Sequence, residues 1–210
     1  MNETLNGVTR EEARMKPSVY GVGYMGNNPE LKSSYNGKKC PIYYAWCRML
    51  ERCYSKKFHR INPTYIGCTV SDEFKDYSKW REWYDNYQYK YDGWQLDKDL
   101  LIKGNKVYSE SACVFLPREI NQVLVKRTAL RGEYLIGVCW SKTNKAFVAK
   151  VSKNKGKQEH LGSFNTELEA FNAYKQAKES YIKELAEEYK DRIDPRAYNA
   201  LMSYEVSESD

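Results

Sequence analysis

The last third of the chain combines three short runs of alternating apolar and polar residues with one long run of helical period. The alternation predicts strands over Leu135–Trp140, Ala146–Ser152 and Gln158–Phe164. Asn154–Gly156 supplies a hairpin turn between the last two. A sheet of three short strands leaves an apolar face that must be covered, and the helix that follows can cover it. The sequence therefore predicts a three-stranded antiparallel sheet packed on one helix.

The predicted helix has a clear start and one apolar face. Thr166 and Glu169 have the spacing of a capping box, in which each side chain accepts a hydrogen bond from the other residue's main-chain N–H. The helical period then continues to about Tyr189. The apolar face contains Ala170, Phe171, Tyr174, Ala177, Tyr181 and Leu185. We expect this face to pack on the sheet.

Alternation within the second strand indicates which side of the sheet is covered, because successive side chains point to opposite faces. The residues expected to face the helix are Phe147, Ala149 and Val151. The residues expected to face solvent are Val148, Lys150 and Ser152. The exposed face of the predicted sheet therefore carries at least one lysine.

The chain has a net charge of +6, from 34 Lys and Arg against 28 Asp and Glu, so the distribution of charge is more informative than its sum. Between Lys142 and Lys157 there is no acid, and the cations there are Lys142, Lys145, Lys150, Lys153, Lys155 and Lys157. Such a patch suits a polyanion such as nucleic acid. A charge run is also typical of an ordinary solvated surface.

Four segments in this region occur in a specific order: Ile136-Gly-Val-Cys-Trp140, Phe147-Val-Ala-Lys-Val151, His160-Leu-Gly-Ser-Phe164 and Thr166-Glu-Leu-Glu-Ala-Phe-Asn-Ala-Tyr174. Together they resemble the APETALA2-type DNA-binding domain of plant ethylene-response factors, which is also found in phage nucleases and integrases. The resemblance covers residues 134–185 and implies that the sheet lies in the major groove of double-stranded DNA. By position, it implies DNA contacts from Cys139, Ser141, Lys150, Ser152 and His160.

Three of these positions depart from the plant pattern. Cys139 and Ser141 stand where plant members have arginines, and His160 stands where they have a tryptophan. Bidentate reading of guanine by arginine is therefore largely absent, and the plant sequence preference is not expected to transfer. We expect affinity to come mainly from salt-sensitive lysine–phosphate contacts. The lysines assigned to this role are Lys142, Lys145, Lys150 and Lys153.

The amino-terminal part of the chain predicts a separate module of helices and strands. Residues 1–18 are polar and are expected to be mobile. Residues 19–130 form the module, and residues 131–210 form the second domain with a carboxy-terminal helical extension that begins at Pro195. We therefore expect an α+β protein with two domains.

Helix and turn signals give the order of elements within the module. Helices are expected to begin at Pro41, at Asp72 and at Pro117, and a short strand is expected to end at Val70. Gln95–Ile102 and Val107–Leu116 are expected to be two strands joined by a turn at Gly104-Asn105. An aromatic stripe of helical spacing follows Asp72 and is typical of a core.

Three segments of the module also follow a family pattern: Leu96-Asp-Lys-Asp99, Gly104-Asn-Lys-Val-Tyr-Ser-Glu-Ser-Ala-Cys113 and Pro117-Arg-Glu-Ile-Asn121. They resemble a divergent branch of the HNH-type ββα-metal nuclease motif of phage endonucleases, many of which carry an APETALA2-like domain. The resemblance implies one Mg²⁺ or Mn²⁺ ion held by Asp97 and Asn121. It also implies metal-dependent hydrolysis or nicking of duplex DNA by an enzyme of homing-endonuclease type.

The base position of this motif departs from the family. Lys98 occupies it, and Ala112 replaces the asparagine that orients the family's histidine. A lysine near phosphate prefers to stay protonated, so Lys98 fits a phosphate clamp better than a base. His59, in a predicted basic loop over Lys56–Arg60, is the other candidate for the catalytic base.

These departures leave three functions open. The first is the metal-dependent endonuclease. The second is a non-catalytic DNA-binding regulator or competitor on a decayed nuclease scaffold, with Lys98 and Ala112 as marks of the decay. The third is a protein-binding module whose aromatic residues form an interface.

Composition argues against several other classes. Six cysteines without a C-x-x-C pair, and only two histidines, give no expectation of zinc, and free thiols are the default. The sequence contains neither an apolar run long enough for a membrane span nor a secretory signal. We therefore expect a cytoplasmic protein, located in the host cytoplasm if a phage encodes it.

Overall fold

The computed structural model describes residues 4–5, 8–125, 133–153 and 158–208. In chain order the strands are β1 (Thr4–Leu5), β2 (Val8–Thr9), β3 (Ser34–Tyr35), β4 (Lys38–Lys39), β5 (Thr69–Val70), β6 (Gln95–Asp97), β7 (Val107–Tyr108), β8 (Val114–Leu116), β9 (Val138–Ser141), β10 (Ala146–Ser152) and β11 (Gln158–Phe164). The helices are α1 (Arg10–Met15), α2 (Pro41–Tyr54), α3 (Lys56–Ile61), α4 (Asp72–Lys75), α5 (Tyr77–Asn86), α6 (Arg118–Leu124), α7 (Glu167–Tyr189) and α8 (Pro195–Met202), with a 3-10 turn at Pro63–Tyr65.

The chain folds into two compact units that interleave in sequence. Unit 1 comprises Met1–Gln88 and Leu101–Cys113, and unit 2 comprises Tyr89–Leu100 and Val114–Asp210. The fold is mixed α+β with a three-stranded antiparallel sheet, as predicted. The predicted boundary after residue 130 lies outside the described residues, and so does the predicted turn at Asn154–Gly156.

Unit 1 contains a helix, α1, inside the segment predicted to be mobile. Thr9 and Glu12 form a capping box at the start of α1. The core of the unit is aromatic, with Trp46 on α2 fully buried and its indole Nε1 donating to the Phe74 carbonyl at 2.7 Å. The aromatic stripe after Asp72 is therefore core, as its spacing predicted.

The stripe is carried by two helices rather than the single helix predicted from Asp72. Asp76 is buried, and its Oδ1 accepts hydrogen bonds from the N–H groups of Ser78 and Lys79. These bonds make Asp76 the N-cap of α5, so the chain changes direction between α4 and α5.

The predicted pairing of Gln95–Ile102 with Val107–Leu116 is confirmed only at its outer ends, where β6 pairs antiparallel with β8 in unit 2. The inner part of the predicted hairpin differs, because β7 pairs parallel with β5 in unit 1. The cause is local, because Asp97 Oδ1 accepts hydrogen bonds from the N–H groups of Asp99 (3.0 Å) and Leu100 (2.8 Å). This Asx turn ends β6 after three residues.

In unit 2 the sheet has the strand order β11-β10-β9, and every pairing is antiparallel. Its covered face packs on α7 through Ala149, Val151, Ala170, Phe171 and Tyr174. β10, β11 and the Thr166–Glu169 capping box have the predicted bounds, and α7 ends at Tyr189 as predicted.

The first strand of this sheet begins at Val138, three residues later than predicted. Gly137 has a φ of +79°, and a Cβ at this position would lie 2.1 Å from the Tyr174 ring on α7. Glycine therefore permits both the left-handed backbone and the close approach to the helix. The strand starts only after this turn.

The carboxy-terminal segment closes one edge of the core. Val206 is buried in the same cluster as Phe171. Its main chain is held on both sides, since Lys175 Nζ donates to the Val206 carbonyl and the Val206 N–H donates to Glu179 Oε1, both at 2.8 Å. Across the described residues, no helix is long and apolar enough to cross a membrane.

Candidate nucleic-acid interface and candidate metal centre

The face of the sheet opposite α7 carries the five residues predicted to contact DNA. Cross-strand pairing places Cys139 opposite Val148, Ser141 opposite Ala146, Lys150 opposite His160, and Ser152 opposite Gln158. Directly paired residues share a face, and Ala149 and Val151 of β10 point to α7, so these pairs point away from it. We call this surface, consisting of Cys139, Ser141, Ala146, Val148, Lys150, Ser152, Gln158, His160 and Ser163, the outer face.

A β-bulge determines which side chains of β11 reach the outer face. Ala149 pairs with Gly162, and the next residue, Lys150, pairs with His160, which leaves Leu161 as an extra residue. Leu161 packs on the core beside α7, while His160 is exposed on the outer face. If the same sequence paired regularly, with Leu161 opposite Lys150, alternation would turn His160 towards the helix.

The glycine after Leu161 makes this bulge possible. Gly162 has a φ of +147°, a conformation that residues with a side chain rarely adopt. The Leu-Gly pair of the sequence motif therefore has a structural meaning. Leucine fills the core, and glycine lets the strand bend beside it.

The turn from β9 to β10 carries two of the predicted phosphate contacts. Lys142 and Lys145 are exposed, and Lys145 has a φ of +48°. Ser141 Oγ accepts a hydrogen bond from the Asn144 N–H at 3.2 Å, which helps to close the turn. Both lysines therefore lie at the end of the strand pair that carries Ser141.

Lys153 lies on the other side of the sheet, which corrects its predicted grouping with Lys150. Its Nζ is 3.0 Å from Glu159 Oε2 and lies 5.8 Å from the centre of the Tyr181 ring on α7. The hydrogen bond to Glu159 raises the pKa of Lys153. Alternation explains the position, because Lys153 follows Val151 by two residues. Lys155 and Lys157 lie outside the described residues.

The outer face contains no acid among the residues that the structure describes on it. Its charged group is Lys150, with Lys142 and Lys145 at the adjoining turn. His160, Ser152 and Gln158 are exposed and add side chains that can donate or accept hydrogen bonds. Val148, on the central strand, was expected to be exposed to solvent, but it is only 4% exposed, so the middle of the outer face is covered.

The predicted metal ligands Asp97 and Asn121 both lie in unit 2. Asp97 is half-buried at the end of β6, and burial raises the pKa of its carboxyl group despite the main-chain hydrogen bonds from Leu100 and Asp99. Asn121 lies on α6, where its Nδ2 donates to Gln95 Oε1 at 2.6 Å. In this part of the described chain no hydrogen bond joins Asp97 to Asn121.

Gln95 is the residue that sequence reasoning missed here. It precedes Asp97 by two residues on β6, so both side chains point to the same face of that strand. The spacing between the two residues was visible in the sequence, but the helix that meets this face was not.

The candidate bases have other partners. Lys98 is 5% exposed and forms an ion pair with Asp99. His59 belongs to unit 1, where its Nε2 lies 2.8 Å from the Arg52 carbonyl oxygen. The predicted loop over Lys56–Arg60 is helix α3, because Ser55 caps it by accepting a hydrogen bond from the Phe58 N–H. Ala112 is buried.

Clusters of three or more His, Cys, Asp or Glu side chains able to hold a metal ion are absent from the described residues. Comparison of the chain with protein-family models, curated proteins and solved structures gave no match.

Proposed function

We propose that this protein binds double-stranded DNA through the outer face of unit 2. The observation that carries the proposal is a sheet face whose polar side chains are mostly exposed and include no acid among its described residues, with a lysine on its central strand and two lysines at its edge. The face also carries polar side chains of the kind that contact base edges, including His160 and Ser152.

The dimensions of the sheet support this proposal. The outer strands of a three-stranded sheet lie about 10 Å apart, and the major groove of B-DNA is about 12 Å wide. The strands β10 and β11 are seven residues long and are backed by a helix of 23 residues. The outer face is therefore a firmly supported surface of the size that the groove admits.

The direct test measures duplex binding by the wild type and by Lys142→Gln/Lys145→Gln/Lys150→Gln over a range of salt concentrations. Each lost phosphate contact lowers the slope of log K against log salt by about 0.9, so the triple variant is expected to lose about two to three units of slope. Lys153→Gln, which removes a lysine from the other side of the sheet, is the control for Lys150→Gln alone. No duplex binding by the wild type even at low salt would favour the protein-binding alternative.

Metal-dependent hydrolysis or nicking of duplex DNA is a second proposal for the same unit. It is supported by the antiparallel pair β6–β8 followed by α6, with Asp97 on the first strand and Asn121 on the helix. A carboxylate and an amide oxygen are ligands that Mg²⁺ and Mn²⁺ take, with water and phosphate supplying the rest. The ion would stabilise charge on the leaving oxygen.

The alternative is a DNA-binding regulator without catalysis, and the ion pair of Lys98 with Asp99 supports it. A plasmid-nicking assay with Mg²⁺ and Mn²⁺ separates the two. The enzyme predicts nicking by the wild type that is lost in Asp97→Ala and in Asp97→Asn, which keeps an oxygen for the Asx turn. DNA binding without nicking in the presence of either metal would reject the endonuclease and support the non-catalytic regulator.

A further inference from the structure

The two units differ in net charge. Unit 1 contains 16 Lys and Arg against 11 Asp and Glu, whereas unit 2 contains 18 against 17. The positive excess of the chain therefore belongs mainly to unit 1, and the outer face of unit 2 does not account for it. A cationic surface in unit 1 needs its own explanation.

The excess is concentrated in two segments that meet in space. No acid occurs between Glu51 and Asp72, or between Leu100 and Ser109. The segments are joined where Lys106 Nζ donates to the Thr64 carbonyl at 2.8 Å, and where the Thr69 N–H donates to the Lys106 carbonyl at 2.8 Å. We call four exposed cations of these segments, Lys56, Lys57, Arg60 and Lys106, the basic ledge.

Helix α3 holds the ledge in a fixed orientation. Phe58 packs edge-on against Tyr65, with ring centres 5.5 Å apart. His59 is bonded to the Arg52 carbonyl, and the Asn62 N–H donates to the Phe58 carbonyl at 2.9 Å. These contacts hold one side of the helix against the unit, and its cations are exposed.

The other arginines nearby are already engaged. Arg48 forms an ion pair with Glu51, and the Arg52 guanidinium lies 6.0 Å from the centre of the Tyr65 ring. In contrast, Lys56, Lys57 and Arg60 pair with no acid among the residues that the structure describes. Lys56 and Arg60 are four residues apart and so lie on the same side of the helix, about 6 Å apart along its axis.

We propose that the basic ledge is a second DNA-binding surface, which contacts the sugar–phosphate backbone of duplex DNA. The inference rests on the proposed DNA binding by the outer face and extends it to unit 1. The ledge offers cations without exposed hydrogen-bond acceptors on those side chains, which suits phosphate rather than base edges. In this proposal the ledge increases the affinity for duplex DNA independently of its base sequence.

A membrane surface is the competing partner for exposed cations, because Ile61 and Ile66 beside them are 76% and 60% exposed. An interfacial helix needs a broad apolar face along its length. Helix α3 has six residues, and its aromatic residue Phe58 packs against Tyr65 within the unit. Ile102 and Val107, in the neighbouring acid-free segment, are also exposed, but the four side chains lie on a helix end, a turn and a second segment rather than along one helix face. The ledge therefore fits a nucleic-acid backbone better than a membrane.

The test compares two triple variants of the full chain that remove the same charge from unit 1. The first, Lys56→Gln/Lys57→Gln/Arg60→Gln, removes the cations of α3. The second, Lys32→Gln/Lys38→Gln/Lys39→Gln, removes exposed lysines around the β3–β4 hairpin. We expect the first to lower the salt slope of duplex binding by about two to three units and the second to leave it close to the wild type. Thermal unfolding of each variant checks that it folds.

The outcomes separate this inference from the proposed function. Loss of slope in the outer-face triple variant alone would overturn the ledge and keep the outer face. Equal losses in both unit 1 variants would show that only total charge matters, which also overturns the ledge. Unchanged DNA binding by the first variant, with lost binding to vesicles of anionic lipid, would assign the surface to membranes. If the wild type binds no duplex, both proposals fail.

Discussion

The outer face and the basic ledge are both cationic, but they are built differently. The outer face lies on strands, and its lysine stands among thiol, hydroxyl, amide and imidazole groups that can contact base edges. The ledge lies on a short helix and a neighbouring loop, and it presents cations and isolated aliphatic side chains. Under the two proposals, the outer face would discriminate among DNA sequences and the ledge would add affinity for any duplex.

The largest expected effect comes from destabilising unit 2 alone and measuring the DNA binding that remains. Gly137→Ala places a Cβ against the Tyr174 ring and forces a left-handed backbone, so we expect unit 2 to lose about 2–5 kcal/mol of unfolding free energy. DNA binding that remains should be weak and independent of sequence, because only the ledge would contribute. Urea unfolding and duplex binding of the same sample measure both effects.

Gly93→Ala is the matched control for this experiment. Gly93 also lies in unit 2 and has a φ of +80°, but a Cβ there would meet nothing within 4 Å. We expect only the backbone cost of about 1–2 kcal/mol. Equal destabilisation by the two substitutions would contradict the role given to the contact between Gly137 and α7.

The next largest effect is expected on the discrimination between DNA sequences. His160→Ala removes an imidazole that the bulge exposes on the outer face, and a good base contact is worth about 1–3 kcal/mol of discrimination. We expect the ratio of affinities between preferred and random duplexes to fall about 5-fold or more. Duplexes selected from a random pool by the wild type supply the preferred sequence.

Lys57→Gln is the corresponding change on the ledge. It should lower the affinity for preferred and random duplexes by the same factor and leave the ratio of the two affinities unchanged. A change in that ratio would mean that the ledge also reads bases.

A smaller effect distinguishes the two sides of the sheet. Lys150→Gln should lower the salt slope by about one unit, as expected for one lost phosphate contact. Lys153→Gln should leave the slope unchanged, because Lys153 is paired with Glu159 on the side of α7. Parallel titrations of the two single variants with one duplex test this difference, and equal slopes would reject the assignment of faces.

The smallest expected effect is a pH dependence that belongs to unit 2. Burial raises the pKa of Asp97 above its ordinary value of 3.8, so the folded state keeps a proton that the unfolded state has already released. Between the ordinary pKa and the raised one, stability therefore falls as the pH rises. Asp97→Asn should remove this fall in the free energy of unfolding, measured by urea unfolding between pH 4 and pH 7. Asp92→Asn, at an exposed position of unit 2, should keep the wild-type slope.

Local signals in the sequence were sufficient for the carboxy-terminal sheet and helix. The alternation over Ala146–Ser152 and the capping box at Thr166 depend on neighbouring residues alone, and both predictions are confirmed. The side occupied by Lys153 could also have been read from its distance to Val151. The prediction grouped it instead by charge.

Pairing between distant segments could not be read in this way. β7 and β8 were predicted to be one strand opposite β6, but only β8 pairs with β6, whereas β7 pairs with β5, which lies almost forty residues earlier. The Asx turn at Asp97 sends the chain from unit 2 into unit 1, and no local propensity reveals which strand the chain meets there. For the same reason, the bond from Asn121 to Gln95 was not predicted.

The bulge at Leu161 places two successive residues of β11, Leu161 and Gly162, on the inner side of the sheet. Single substitutions at exposed positions of β11 can alter individual contacts while every other side chain keeps its side of the sheet. Loss of Leu161 would remove the bulge but leave His160 paired with Lys150, so the outer positions would be unchanged and the core would lose one leucine. The bulge therefore adds an apolar contact on the side of α7 while the outer face remains free to vary by substitution.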